Sequence, residues 1–115
     1  MKIVSFNINS IRARPHQIQA IVKKHNPDAI GLQETKVHDD EFPYEIADSV
    51  GYHAHIHGQK GHYGVAILTK DKPKKIIKGF EQDKKDSQKR FISASLKVGK
   101  KIVHILNGYF PQGEE

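Results

Sequence analysis

The sequence predicts one α/β domain, a class that some schemes would write as α+β. Three observations predict it. A β-prone run, a helical run and a second β-prone run follow one another between Lys2 and Glu34. From Tyr52 onward the pattern changes to short strand-like runs broken by glycine and polar residues. The chain has 115 residues and no cysteine, which suits a single small domain held by packing rather than by disulfides.

Lys2 to Ile8 reads as the first strand. Ile3 and Val4 open it, and Phe6 and Ile8 continue one face at period two, ahead of the turn-prone cluster Asn7-Ile8-Asn9-Ser10. Pro15 suits the first turn of a helix, where its missing N–H is not needed. Ile18, Ile21, Val22 and His25 recur at helical spacing, and Asn26-Pro27-Asp28 stops the helix. Asp28 to Glu34 predicts a short buried strand that ends on the polar pair Gln33 and Glu34. Strand, helix and strand suit a βαβ unit, whose two strands need not be direct neighbours. A short helix is expected within Phe42–Val50. Further strands are expected at Tyr52–His57, Val65–Thr69, Lys75–Gly79, Phe91–Val98 and Ile102–Asn107, with a turn at Gly58–Gly61 and a hairpin turn at Gly99-Lys100-Lys101. The β-prone run Ile102–Leu106 near the end leaves a second apolar sheet face with nothing obvious to cover it, so an incomplete domain is expected.

Composition narrows the function classes. Without cysteine there is no thiolate nucleophile and no cysteine-based zinc or iron–sulfur site. No apolar run approaches the ~20 residues that span a bilayer. The N-terminus turns polar too early for a secretory signal, so a soluble, cytoplasmic protein with no membrane partner is expected. The net charge is +6, and nine basic against four acidic residues between Lys70 and Arg90 account for nearly all of it. Such a stretch can lie along a phosphate backbone. A solvated loop and edge strand suits it better, because Phe80 is the one aromatic within it that could stack on a base.

Several groups can carry chemistry. Asn7 and Glu34 stand at the ends of two apolar strands, where rigid sheets present ligands. A carboxylate beside an amide oxygen suits Mg²⁺ or Mn²⁺, although position alone favours a solvated strand-end acid and a turn residue. His53, His55 and His57 share one strand face, which reads better as an exposed imidazole row than as a zinc site. Gly58, Gly61 and Gly64, with Lys60, His62 and Tyr63 among them, can approach phosphate, but any tight loop needs such glycines too. Tyr109 offers a phenol as donor or base, or simply an aromatic at a strand end. No serine sits in a nucleophile-elbow context.

Four segments, taken in order, change this balance: Lys2–Arg14 (KIVSFNINSIRAR), Ile30–Lys36 (IGLQETK), Gly58–Lys70 (GQKGHYGVAILTK) and Asn107–Gly113 (NGYFPQG). Together they resemble the N-terminal part of the exonuclease III (AP endonuclease) family of the exonuclease/endonuclease/phosphatase superfamily, from Met1 to about Gly113. The resemblance implies the N-terminal half of a four-layer αββα sandwich, with residues 1–115 a partial domain. It implies Mg²⁺-dependent phosphodiester hydrolysis on double-stranded DNA at abasic sites and 3′ ends, with Mn²⁺ as the other candidate ion, and a complete enzyme that is monomeric. By the same resemblance Glu34 matches the metal-ligand glutamate and Asn7 the asparagine that helps hold the metal or its ligand. Tyr109 matches the active-site tyrosine near the scissile phosphate. Arg90 and Gln112 match DNA contacts, and Arg12, His62 and Tyr63 fall in loops that approach the backbone. The family's remaining acids and its Asp-His pair lie beyond position 115, and the second sheet and its helices are expected to be missing too, so these residues alone are expected to be inactive. Two other readings stay open: a basic DNA-binding remnant, and a phosphodiesterase acting on another phosphate ester.

Overall fold

A computed structural model describes residues 1–58, 64–78 and 91–108. The first strand, β1 (Ile3–Asn7), is followed by helix α1 (Pro15–His25) and strand β2 (Ala29–Gln33). Pro15 opens α1 as expected, and Asn26 closes it in the left-handed conformation with its N–H on the Val22 carbonyl, beside Lys23, Lys24 and His25, whose charge suits a helix C-terminus. A 3₁₀ turn at Asp39–Glu41 and helix α2 (Tyr44–Ser49) lead into strands β3 (His53–His57), β4 (Val65–Thr69), β5 (Lys75–Lys78), β6 (Phe91–Val98) and β7 (Lys101–Gly108).

The strands form two sheets. One has the order β1-β2-β4-β3, and the other is the antiparallel series β5-β6-β7. β1 and β2 are parallel direct neighbours with Asn7 opposite Gln33, so the βαβ unit is closed without an intervening strand. β2 and β4 lie at the centre and are buried along their whole length, which explains their continuous apolar runs. β6 and β7 form the expected hairpin, with Val98 opposite Lys101.

Two cores stack against the first sheet. On one face Ile30, Leu32, Ala66, Leu68 and Ile56 meet Ile18 of α1 and Ala47 of α2. On the other face Ala29, Val65 and Ile67 meet Ile92, Ala94, Leu96 and Ile105 of the second sheet. The described residues therefore supply three layers, helices, sheet and sheet, which corrects the expectation that the second sheet is missing: the runs from Lys75 onward pair with one another rather than extending the first sheet. The outer face of the second sheet carries Ile77, Ile102 and Leu106, all exposed. The apolar face without cover is thus on the β5-β6-β7 sheet, while β2 and β4 of the first sheet are packed on both faces and its edge strand β1 exposes Ile3 on one.

The histidine row of β3 departs from the expectation of an exposed face. Only His53 is exposed; His55 and His57 are partly buried. His55 Nε2 lies 3.1 Å from the Thr69 hydroxyl, which itself donates to the Asp71 carbonyl at 2.6 Å. With that hydroxyl proton committed, the imidazole must be the donor, so Nε2 carries the hydrogen. Gly58, one of the three spaced glycines, is explained by packing: a side chain there would collide with the Val37 carbonyl oxygen. Gly61 lies outside the described residues. Among them no helix is long and apolar enough to cross a membrane.

Candidate functional site

The C-terminal ends of β1 and β2 run on past the sheet as a pair of bonded loops. Ile8 N–H donates to the Gln33 carbonyl at 3.1 Å, Ser10 N–H to the Glu34 carbonyl at 2.8 Å, and Ile11 N–H to the Thr35 carbonyl at 3.2 Å. Thr35 N–H in turn reaches the Gly64 carbonyl at 3.1 Å. These bonds hold the two loops in register, and the side chains at their bends gather at the rim between the sheets.

Glu34 is the centre of that rim. Its backbone is left-handed at φ +56°, as are Lys36 at +62°, Asn9 at +48° and Ser10 at +84°. Four non-glycine residues in this conformation within one small region mark a backbone held against its local preference. Asn7 Nδ2 donates to Glu34 Oε1 at 2.7 Å, while Asn7 Oδ1 accepts from the Asn9 N–H at 3.0 Å. Asn7 therefore orients the carboxylate, and a backbone amide orients Asn7. Lys36 Nζ donates to Asn9 Oδ1 at 2.6 Å and lies 3.7 Å from Glu34 Oε2. The Glu34 side chain is only 19% exposed, so a compensating positive charge there matters more than on an open surface. Arg14 Nη1 donates to the Asn9 carbonyl and braces the same turn.

The site thus brings together Asn7 and Glu34, the two residues singled out as candidate metal holders. Arg12 sits on the exposed turn before α1, where its guanidinium is engaged by the Glu41 carbonyl oxygen at 3.3 Å. His62, Tyr63, Arg90, Tyr109 and Gln112 lie outside the described residues, as does most of the basic stretch. Asn9, Arg14 and Lys36 were not singled out from the sequence. Their signal was available in part, since Asn9 belongs to the polar cluster after β1 and Lys36 follows Glu34 by two.

The donor set is hard: a carboxylate and an amide. Among the described residues no three acids or histidines converge. One carboxylate with a hydrogen-bonded amide suits Mg²⁺ or Mn²⁺, because Mg²⁺ keeps several waters and takes its remaining oxygens from substrate phosphates. The residues present fit such an ion through Glu34, with Asn7 acting on the carboxylate.

A two-sheet α/β sandwich with a carboxylate at the rim defines a class of proteins whose chemistry sits at strand ends rather than in a closed cavity. Comparison with known proteins places the chain more closely. The profile of the endonuclease/exonuclease/phosphatase family matches residues 4–110. The chain belongs to that family. It is 60% identical over 114 residues to an exodeoxyribonuclease III of Haemophilus influenzae, covering 99% of this chain and 43% of that one. An AP endonuclease from Archaeoglobus fulgidus superposes with a TM-score of 0.86 at 38% identity, covering 98% of this chain and 42% of the other. A 3′ phosphatase from Neisseria bound to a product DNA hairpin gives 0.85 at 34% identity, over 95% and 41%. The chain spans less than half the length of the relatives it matches.

Proposed function

We propose that this chain supplies the cation-holding half of a Mg²⁺-dependent nuclease that hydrolyses phosphodiesters of double-stranded DNA at abasic sites and 3′ ends. The observation that carries the reading is the Glu34 carboxylate, fixed by Asn7 at the rim of the two sheets. The 60% identity to an exodeoxyribonuclease III supports it. A divalent cation bound there supplies positive charge against which a phosphate's oxygens are stabilised. The chain's own residues hold and orient the carboxylate. Asn7 holds the carboxylate in one orientation. Asn9 and Arg14 hold the turn that carries Asn7. Lys36 balances the carboxylate charge and offers an ammonium beside the phosphate path. By family resemblance Tyr109 donates its phenolic proton to a phosphate oxygen, and Arg12, His62, Tyr63, Arg90 and Gln112 contact the DNA.

The test uses Mn²⁺ as probe and an abasic-site duplex as substrate. The 115-residue chain is expected to bind Mn²⁺, and Glu34→Gln is expected to abolish that binding. Cleavage by these residues alone is expected to fall at least ~10³-fold below that of the full-length Haemophilus relative, because a catalytic set acts as a unit and each lost donor costs ~10²–10³. Mn²⁺ binding that survives Glu34→Gln would refute the assignment. The basic stretch favours one other reading, a DNA-binding module without catalysis. It predicts salt-dependent DNA binding that is indifferent to both EDTA and Glu34→Gln.

A further inference from the structure

We propose that Gln33 and Asn107 form an amide clamp between the two sheets that positions Glu34, a role that rests on Glu34 being the cation ligand. Asn107 lies on the inner face of β7 and is 5% exposed. Its Nδ2 donates to the Leu32 carbonyl at 2.9 Å and to the Ala66 carbonyl at 2.9 Å, and its Oδ1 accepts from Gln33 Nε2 at 2.6 Å. Both amide hydrogens and the oxygen are therefore used. One side chain ties β7 to the two central strands of the opposite sheet. Gln33 Nε2 also lies 3.2 Å from the Ser5 hydroxyl, which extends the tie to β1.

The fit is close. A Cβ at Gly31 would sit 3.0 Å from Asn107 Oδ1, so the glycine leaves the room that the amide occupies. The surroundings are otherwise apolar, with Ala29, Val65, Ile67, Ala94 and Ile105 filling the space between the sheets. An aliphatic pair of similar shape would fill such a core without any need to satisfy polar atoms. What apolar contact does not supply is direction, because two greasy faces can slide along one another. Three hydrogen bonds to fixed carbonyl and amide positions set the register of β7 against β2. Gln33 immediately precedes Glu34, and its own carbonyl holds Ile8, so a shift at Gln33 moves both loops of the rim. Gln33 and Asn107 are positioning residues: neither has to touch the cation or the phosphate.

The double variant Gln33→Leu/Asn107→Leu removes both ends of the amide–amide bond, and costs stability through the Leu32 and Ala66 carbonyls, which lose the Asn107 donor. It is expected to stay folded with a lowered Tm. Mn²⁺ binding should nevertheless weaken, and amide exchange at Ser10 and Thr35 should accelerate about tenfold relative to the β3–β4 ladder. Gln33→Met is the milder second variant, because it leaves the Asn107 bonds to Leu32 and Ala66 in place. The same changes are expected there, reduced in size. Unchanged exchange and unchanged Mn²⁺ affinity in a folded variant overturn the clamp. A parent chain whose Mn²⁺ binding ignores Glu34→Gln overturns the cation reading instead, and the exchange at Ser10 and Thr35 still decides whether the clamp orders the rim.

Discussion

Glu34 keeps its carboxylate at the rim with a left-handed backbone that a glycine would adopt without penalty. The strain and the side chain's role can be separated at this position. Glu34→Ala and Glu34→Gly both remove the carboxylate, but only glycine relieves the backbone. Glu34→Gly is expected to be more stable than Glu34→Ala by about 1 kcal/mol, or about 4 °C in Tm for a domain of this size. Equal melting temperatures would show that the turn is unstrained. Asn7 and Glu34 were legible in the sequence because each ends a recognisable β-run inside a family motif. Lys36 and Asn9 were not, because their meeting depends on two successive loops both turning through the left-handed region, and no local periodicity encodes that.

β3 has a pH response written into its inner face. Burial, with smaller contributions from His53 and Lys78, lowers the His55 pKa from 6.5 to about 4. In the folded chain His55 stays neutral and donates Nε2–H to Thr69. Unfolding lets it take up a proton between pH 6.5 and 4, so its contribution to stability is constant above that window and is lost as pH falls through it. His55→Gln keeps a hydrogen-bonding group but cannot titrate. The drop in Tm between pH 7 and pH 4.5 is expected to be smaller in His55→Gln than in the parent, and an identical drop would remove His55 from the acid response. Alternation along β3 correctly placed the three histidines on one side. It did not say what that side faces, because the partner elements β4 and β5 come later in the chain.

Across the whole molecule, apolar surface is distributed unevenly. The two central strands of the first sheet are covered on both faces, whereas Leu106 is 68% exposed, Ile102 49% and Ile77 46% on the outer face of the second. Ile77, Ser93 and Leu106 stand side by side in the ladder, so exposed apolar side chains on the two outer strands flank a serine on the central one. Exposed apolar side chains grouped on one sheet face bind hydrophobic dyes and promote association. The 115-residue chain is expected to bind such a dye at neutral pH and to associate with rising concentration. Leu106→Lys should reduce both without lowering Tm, since Leu106 contributes little burial. A chain that binds no dye, or a variant that binds as much, would contradict this account of the surface.

The strands, the first helix and its proline and asparagine boundaries could be read from the chain alone, because side-chain periodicity and capping are properties of a few consecutive residues. The family motifs were equally local, and so were the two residues at the centre of the rim. Apart from the β6–β7 hairpin, which strands pair, which sheet face stays open and how the rim is braced were decided only by the tertiary structure. Gln33 and Asn107 show why: they lie 74 positions apart and meet only when two sheets stack with Gly31 leaving the space between them. A hydrogen bond between two side chains needs both ends in place, and no stretch of sequence contains more than one of them.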